Sequence, residues 1–352
     1  MNRHLTVAVL GATGLVGRTF LRVLEERGFP VAELRPLASE RSEGKTVRFK
    51  GQEIPVHAAR ADSFDGVDLA FFSVDEEISR EMAPIAARAG AVVIDDSAAW
   101  RMDPAIPLVV PEVNPDDAHR HRGIIAGPNC STIQMVVALA PIHRANPITR
   151  VIVDSYQAVS GTGAAAVEEL RTQTLAVVDA ARAQNGSGAS TAPLSAHAPG
   201  LETSAYPHPI VLNVLPHIGS FRDNGYTSEE MKLVNETRKI MHAPDIAISA
   251  TTVRVPVEVG HSEAVHVELS HPMTAGEARA ILASAPGIAV VDEPFESRYP
   301  LPLQAAGRDE VFVGRIRSDI SHPNGIAMWI VSDNLRKGAA LNAVQVAELL
   351  FA

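Results

Sequence analysis

A glycine-rich turn near the N-terminus constrains the fold of this chain more than any other feature. The apolar run Leu5–Leu10 is typical of a buried strand, and the sequence G-A-T-G-L-V-G follows it at residues 11–17. An amphipathic stretch then ends near Gly28. Glycines between a strand and a helix permit a tight turn and let backbone amides approach a pyrophosphate. The pattern therefore predicts a dinucleotide site, with a purely structural glycine turn as the alternative.

Strand-like segments alternate with helical patterns over the first part of the chain. The strands are expected at Glu33–Ala38, Asp68–Ser73, Ala91–Asp95 and Ile124–Ala126, and one helix at 75–88. Such alternation predicts an α/β fold with a Rossmann-type, doubly wound parallel sheet.

From Thr149 onward, longer β-rich segments are interleaved with helices, which predicts a second domain of the α+β type. The strands are expected at 150–159, 246–259, 264–270, 310–317 and 326–331, and the helices at 164–182 and 228–241. The last helical stretch, 335–350, carries an apolar stripe and is expected to return to the first domain. We therefore predict a nucleotide-binding domain at 1–130, completed by 332–352, and a catalytic and dimerisation domain at 131–331.

The stretch 183–209 is rich in Ala, Ser, Gly and Pro. It predicts a long loop over a site or an interface, with an ordinary surface excursion as the alternative.

Composition limits the classes of function. A chain of 352 residues with 46% hydrophobic content is long enough for two cores. The net charge of −10, with dispersed basic residues, argues against a nucleic-acid partner. A single cysteine excludes an internal disulfide, and we find no apolar run of membrane-spanning length and no signal-peptide pattern. These features predict a cytoplasmic protein without a membrane partner.

The single cysteine, Cys130, lies in G-P-N-C-S-T, between a predicted strand and a helix expected to begin near Ser131. The N-terminus of a helix favours a thiolate and offers amides to an oxyanion. A nucleophile is therefore the leading hypothesis. A small buried hydrophobic residue is the alternative.

The residues after the second strand bear on the choice between NAD and NADP. An acidic residue there selects NAD, whereas this chain has Ser39-Glu40-Arg41-Ser42. Hydroxyls and a guanidinium suit a 2′-phosphate, so Ser39, Arg41 and Ser42 predict NADP. Glu40 argues against this prediction, and a solvated turn is the alternative.

In these motifs the chain resembles the aspartate-semialdehyde dehydrogenase family. That family is similar in overall organisation to N-acetyl-glutamyl-phosphate reductase and glyceraldehyde-3-phosphate dehydrogenase. The resemblance runs nearly end to end. It is carried by the glycine turn, Ser39–Lys45, Trp100-Arg101, G-P-N-C-S-T, Ser155–Gly161, Asn213–Ile218, Glu229–Lys232, Arg254–Val257, Gly260–Ser262 and Ser332–Asn334.

The resemblance implies three catalytic residues. Cys130 would attack an acyl phosphate and form a thioester, His261 would act as the acid/base, and Gln157 would orient the substrate. His217 and His266 are the alternatives for the histidine, and only the spacing within the motif selects His261. The alternative for Gln157 is a strand residue bonded to backbone.

The resemblance also implies a substrate and a phosphate site. Arg254 would hold the substrate α-carboxylate, with an internal acidic partner as the alternative, and Glu229 would bind the amino group. Arg101, Asn129 and Lys232 would hold the phosphate. An exposed ion pair on a capped helix explains Glu229 and Lys232 equally well.

The implied cofactor is NADP, and no metal is implied. It would lie against Gly11, Thr13, Gly14, Leu15, Val16, Gly17, Ser39, Arg41, Ser42, Ser73, Ser160, Gly161 and Asn334. Asn334 has a helix N-cap as its alternative role. The expected partners are the small-molecule substrate and a second copy of the chain, in a homodimer or a tetramer.

The activity implied by the resemblance is NADP-dependent reduction of L-aspartyl-4-phosphate to L-aspartate 4-semialdehyde with release of phosphate. The pathways would be those of lysine and diaminopimelate, threonine and methionine. Three alternatives are a reductase of N-acylated glutamyl phosphate, a non-catalytic NADP-binding protein and a cysteine hydrolase. A free-amine partner such as Glu229 weighs against the first, and the four-residue set of Cys130, Gln157, Arg254 and His261 weighs against the second. The glycine turn weighs against the third.

Overall fold

The computed structural model describes residues 4–185, 193–197 and 200–351. Its first sheet consists of β1 (Leu5–Leu10), β2 (Val31–Ala38), β5 (His57–Ala58), β6 (Leu69–Phe72), β7 (Val92–Asp95) and β8 (Ile124–Ala126), and β3 (Thr46–Phe49) and β4 (Gln52–Pro55) form a separate hairpin. The six strands of the sheet are parallel, in the order β5-β2-β1-β6-β7-β8. The order reverses between β1 and β6, and ligands of doubly wound sheets bind at such a switch point. The helices are α1 (Leu15–Glu26) and α2 (Glu76–Arg88).

The second sheet consists of β9 (Ile148–Gln157), β10 (Ala247–Arg254), β11 (His261–Leu269), β12 (Ile288–Val290), β13 (Val311–Ser318) and β14 (Gly325–Ser332). Its strand order is β10-β9-β11-β14-β13-β12. The outer pairs β10–β9 and β12–β13 are parallel, and the inner pairs are antiparallel. The helices are α3 (Cys130–Ala145), α4 (Ala164–Asn185), α5 (Ser228–Ile240), α6 (Ala275–Ser284), α7 (Pro302–Ala305) and α8 (Leu341–Phe351).

Each sheet has its own apolar core. In the second, α3 buries Met135, Val136 and Leu139 with residues of the sheet. In the first, Leu341 and Val344 of α8 join the cluster that contains residues of β1 and α1. The predicted fold class is therefore confirmed, including the return of the last helix to the first sheet.

The C-terminal stretch differs from the single helix predicted at 335–350. A π-helical segment, Arg336–Ala340, precedes α8. It carries Gly338 so close to Cys130 that a Cβ on this glycine would lie 2.9 Å from the cysteine Cβ. The π turn thus shapes the wall around the thiol, as such turns often do at functional sites.

Most other predicted elements are confirmed within a few residues. The predicted strand 246–259 ends at Arg254, and β11 begins at His261 rather than at 264. The β3–β4 hairpin, β5, α6, β12 and α7 are additions that the sequence patterns do not predict. In the predicted loop 183–209, α4 continues to Asn185 and a short 3₁₀ turn spans Leu194–His197. Residues 186–192 and 198–199 of that loop lie outside the described part of the chain.

No helix in the described ranges is long and apolar enough to cross a membrane.

Candidate active site

Three predicted site residues lie at the ends of neighbouring strands, on the same side of the second sheet. Gln157 ends β9, Arg254 ends the parallel strand β10, and His261 begins the antiparallel strand β11. Arg254 pairs directly with Gln157. Ser262 pairs with Tyr156, which puts His261 beside Gln157 on the same face of the sheet. Residues far apart in the sequence therefore meet because of strand register.

Cys130 is the first residue of α3, and Asn129 is the N-cap. The Asn129 side-chain oxygen accepts hydrogen bonds from the backbone N–H groups of Ser131 and Thr132, at 3.1 and 3.3 Å. The thiol opens into a space of about 410 Å³, which we call the thiol cleft. It is lined by Arg101, Asn129, Gln157, Glu229, Lys232 and Arg254, among others. Six predicted residues thus surround the predicted nucleophile.

The electrostatic setting of Cys130 bears on one expectation. Burial, together with the negative charge of Glu229, raises the pKa of the thiol to about 11, against the opposing effect of Arg254, Arg101 and Lys232. Burial and Glu229 therefore oppose the predicted effect of the helix start on the thiol. Near neutral pH the thiol keeps its proton, which must be removed before the sulfur can attack.

His261 is fully buried beneath the site and is not among the described residues that line the thiol cleft. Its Nδ1 accepts the backbone N–H of Ala158 at 3.0 Å, whereas its Nε2 has no partner among the described residues. Gly161 leaves room above the ring, since a Cβ there would lie 3.3 Å from Nε2. Burial, then the nearby charge of Arg254, lowers the pKa of His261 to about 3. The ring is therefore neutral, with its proton on Nε2.

The two alternative histidines lie elsewhere. His217 stacks on the ring of Phe221, and Nδ1 of His266 contacts Asp319 at 3.0 Å. Among the residues that the structure describes, neither histidine belongs to the lining of the thiol cleft.

Arg254 is buried and faces the thiol cleft. Its Nη1 donates to the carbonyl oxygen of Ala158 at 2.7 Å. Over the ranges that the structure describes, no carboxylate forms an ion pair with this guanidinium, and its Nε has no hydrogen-bond partner. The alternative of an internal acidic partner is thus not found there. A buried guanidinium without a counter-ion is suited to an anionic ligand.

Glu229 connects several predicted residues. Its Oε1 accepts from the side-chain amides of Asn129 at 2.8 Å and Gln157 at 3.3 Å, and its Oε2 accepts from Lys232 at 3.1 Å. Burial acts to raise the pKa of Glu229, but Lys232, the Asn129 hydrogen bond and Arg254 lower it to about 2. The pair with Lys232 is therefore not an exposed ion pair, because the carboxylate is buried inside the cleft wall.

Sequence reasoning missed two residues of this site. Glu236 is buried, and it accepts from Arg101 Nη1 at 3.0 Å and from the backbone N–H of Asn129 at 2.7 Å. Asp96 follows β7 and lines the same cleft. The spacing of 229, 232 and 236 on one face of α5 is a signal that could have identified Glu236.

A second space, of about 310 Å³, lies beside the glycine turn, and we call it the turn cleft. It is lined by Gly14, Leu15, Val16, Ser73, Asp96, Ser160 and Gly161, among others. Gly11 has a φ of +90°, and a Cβ on it would collide with the Ser73 carbonyl. A Cβ on Gly17 would collide with the Gly11 carbonyl. The glycines thus fit the close turn that a pyrophosphate needs.

Asn334 ties the C-terminal segment to this region. Its amide nitrogen donates to the Ser160 hydroxyl at 2.9 Å, and its oxygen accepts from the Gly260 N–H at 2.9 Å. Asp333, rather than Asn334, accepts the backbone N–H groups of Leu335 and Arg336. The alternative role of Asn334 as a simple N-cap is therefore wrong.

The predicted 2′-phosphate residues lie next to the glycine turn, because Gly11 and Ala12 both donate to the carbonyl of Leu37 in β2. Ser39 and Arg41 are exposed in the turn that follows β2. Ser42 is buried, and its hydroxyl lies 3.4 Å from Lys45 Nζ. Its side chain is thus less available to a ligand than the prediction requires.

Both halves of the chain match known protein families. Residues 6–121 match the family model described as semialdehyde dehydrogenase, NAD binding domain, and residues 139–337 match semialdehyde dehydrogenase, dimerisation domain. An aspartate-semialdehyde dehydrogenase of Aquifex aeolicus is 54% identical over 98% of this chain and 97% of its own length. One from Legionella pneumophila is 54% identical over 99% and 96%. The crystal structure of aspartate semialdehyde dehydrogenase II complexed with ASA from Vibrio cholerae covers 99% of this chain and 98% of its own, with a TM-score of 0.90 and 48% identity.

Fold, site and domain matches together define an oxidoreductase with a dinucleotide-binding domain. The chain belongs to the aspartate-semialdehyde dehydrogenase family. Enzymes with this name act in the biosynthesis of the aspartate family of amino acids.

Proposed function

We propose that this enzyme reduces L-aspartyl-4-phosphate to L-aspartate 4-semialdehyde with NADPH, through a thioester on Cys130. The main support for this proposal is that the thiol cleft and the turn cleft adjoin each other. The turn cleft shares Val16, Ser73, Asp96 and Ser160 with the thiol cleft. A nicotinamide held by the glycine turn would thus reach an acyl group on the sulfur, and bound NADPH would supply the hydride.

The anchors for the substrate fit a free amino acid. Arg254 presents a guanidinium that has no ion-pair partner among the described residues and can bind the α-carboxylate, and the Glu229 carboxylate lies in the same cleft for the amino group. Gln157, which already donates to Glu229, would orient the substrate beside them. The Vibrio cholerae relative, whose crystal structure is a complex with ASA, supports the same choice of substrate.

The residues around Cys130 would each assist a different step of acyl transfer. Asn129 and Glu236 occupy the N–H groups of residues 129, 131 and 132, which leaves the N–H of Cys130 to receive an oxyanion. Departing phosphate would move toward Arg101, Lys232 and the Asn129 amide. The thiol proton would leave on the departing phosphate as the C–S bond forms and the acyl–oxygen bond breaks. After hydride transfer, the Nε2–H of His261 would donate a hydrogen bond to the oxyanion of the hemithioacetal, and the C–S bond would break as the aldehyde forms. The sulfur would leave as a thiolate and would take a proton from solvent before the next turnover.

NADP is the cofactor that the turn after β2 supports. Arg41 and Ser39 are exposed beside the glycine turn, where a 2′-phosphate would lie, and Ser42 contributes less because it is buried. Thr13, Gly14, Leu15 and Val16 would hold the pyrophosphate. Ser73, Ser160, Gly161 and Asn334 would line the nicotinamide end.

We further propose a homodimer in the cytoplasm, serving the lysine and diaminopimelate, threonine and methionine pathways. Exposed apolar side chains support an interface on the second domain: Leu175, Leu212 and Val214 are 64%, 52% and 59% exposed. The proposed domain limits remain 1–130 with 332–352, and 131–331.

A rate assay tests the function directly. The enzyme is given aspartate semialdehyde or N-acetyl-glutamate semialdehyde with phosphate, and with NADP or NAD, while NAD(P)H absorbance is followed. We expect turnover chiefly with aspartate semialdehyde and NADP. Preference for the N-acylated substrate would assign the chain to the related reductase activity, and absence of turnover with every pair would support a binding protein or a hydrolase.

A further inference from the structure

Asp96 lies where the thiol cleft and the turn cleft meet, and it lines both. Its Oδ2 is shielded from solvent and has no hydrogen-bond partner in the described part of the chain. Its neighbour Asp95, in contrast, accepts the backbone N–H of Ser97 at 2.7 Å and the hydroxyl of Ser79. A buried carboxylate oxygen without a donor is costly, so this one either carries a proton or meets a ligand.

The arginine next to Asp96 does not neutralise it. Arg101 Nη2 donates to the backbone carbonyl of Asp96 at 2.6 Å, and Arg101 Nη1 pairs with Glu236 instead of the Asp96 carboxyl. Gly127 leaves the space for this carboxyl, because a Cβ at that position would collide with Asp96 Oδ1. The carboxyl is therefore held beside the proposed phosphate-binding arginine without pairing to it.

We propose that Asp96 makes phosphate binding in the thiol cleft depend on a proton: the neutral carboxyl donates a hydrogen bond to a phosphate oxygen, and the carboxylate repels it. This inference rests on the proposed function, which places the phosphate at Arg101. It adds a residue that adjusts affinity for phosphate with pH.

The surrounding charges set the pH range. Burial, followed by the charge of Asp95, raises the pKa of Asp96 to about 7, although Arg101 lowers it. The other titratable or charged groups that line the two clefts are Asp75, Cys130, Glu229, Lys232 and Arg254. A bound phosphate adds negative charge and favours the neutral acid further. Above pH 7, phosphate binding is therefore coupled to proton uptake by Asp96, and the affinity for phosphate falls as the pH rises.

Titration calorimetry with inorganic phosphate tests this inference. Phosphate is titrated into the NADP-saturated enzyme and into Asp96→Asn between pH 6.5 and 8.5, in two buffers of different ionisation enthalpy. The asparagine keeps the size of the side chain and a donor but has no charge. Phosphate itself titrates in this range with both proteins, so the ratio of the two Kd values isolates the contribution of Asp96.

We expect the ratio of wild-type Kd to Asp96→Asn Kd to rise about tenfold from pH 7 to 8.5, and the wild type to take up more protons than the variant. An unchanged ratio with equal proton uptake overturns the role of Asp96 while the phosphate site stands. If neither protein binds phosphate at any pH, the phosphate site under the proposed function fails, and this inference fails with it. Should Asp96→Asn not fold, the two buffers still report on the wild type: no proton uptake beyond that of phosphate itself overturns the inference.

Discussion

The backbone N–H of Ala158 donates a hydrogen bond to Nδ1 of His261 across 3.0 Å. A neutral imidazole has one nitrogen that accepts and one that donates, so a ring that accepts at Nδ1 presents a proton, and not a base, from Nε2. The carbonyl oxygen of Ala158 also holds the guanidinium of Arg254. The backbone of Ala158 therefore orients both the imidazole of His261 and the guanidinium of Arg254.

The first prediction concerns the protonation of this histidine. Because the pKa of His261 is lowered to about 3, the ring should stay neutral from pH 5 to 8, with the proton on Nε2. Nitrogen-15 NMR of the histidine side chains measures both properties. His261→Asn should lower kcat by about 10²- to 10⁴-fold, while His217→Asn and His266→Asn serve as controls with little effect. An imidazolium signal from His261 near pH 6 would contradict this account.

Cys130→Ala tests the nucleophile. We expect turnover to fall by at least about a thousandfold, because the chain has no second thiol to form the thioester. NADPH affinity, measured by fluorescence titration, should be nearly unchanged. Substantial residual activity would show that the thiol is not the nucleophile.

Arg254→Lys tests the carboxylate anchor. Losing one contact of the planar fork should raise the KM for aspartate semialdehyde about tenfold, with a smaller effect on kcat. Arg150→Lys, an exposed arginine of the same sheet that pairs with Glu268, is the matched control. If the KM of Arg254→Lys equals that of the control, Arg254 has a structural role only.

Glu236→Gln tests how the phosphate arginine is positioned. The amide keeps one acceptor but removes the charge that holds Arg101, so we expect the KM for phosphate to rise about tenfold and the KM for semialdehyde to change little. Steady-state kinetics with each substrate varied separates the two. Equal changes in both constants, together with a lower melting temperature, would indicate general disruption instead of a role at the phosphate.

Glu263 lies two residues after His261 on β11 and provides a prediction about stability. It is fully buried, and burial raises its pKa well above the usual value against the opposing effect of Gln134. The folded protein thus keeps a proton that the unfolded chain releases, and the free energy of unfolding should fall as the pH rises above about 4.5. Glu263→Gln should remove this loss, so the variant should be more stable than the wild type at pH 7.

Chemical denaturation at pH 5 and pH 7 measures that effect. Glu81→Gln, an exposed glutamate on α2, is the control and should change neither value. A Glu263→Gln protein that is no more stable at pH 7 than the wild type would mean that the buried carboxyl is not protonated.

The strands and the glycine turn were predictable because their signals are local. β8 begins and ends where its apolar run does, and α1 begins at Leu15, directly after Gly14 of the turn. The resemblance to the aspartate-semialdehyde dehydrogenase family, and not a local pattern, predicted that Cys130, Gln157 and Arg254 form one site. In the structure each of them begins or ends an element and lines the thiol cleft. Local patterns therefore carried most of the architecture.

Pairings between distant segments were not predictable in this way. Nothing near Asp96 in the sequence shows that Arg101 bonds to its carbonyl and not to its carboxyl. The role of Glu236 depends on α5 lying against the loop before Cys130. The π turn at Arg336–Ala340 was missed because one widened turn leaves no periodic signal in a helical stretch. The pKa of the Cys130 thiol is raised by burial and by Glu229, and neither effect can be seen in the sequence around the cysteine.

The return of the last helix has a consequence for synthesis of the chain. Lys337 is buried and donates to Glu112 at 2.6 Å and to Gln345 at 2.7 Å, and α8 packs in the same core as β1. The hydrophobic cluster around β1 is therefore complete only once the ribosome has made α8. A chain that stalls before residue 340 exposes that unfinished core to chaperones and proteases.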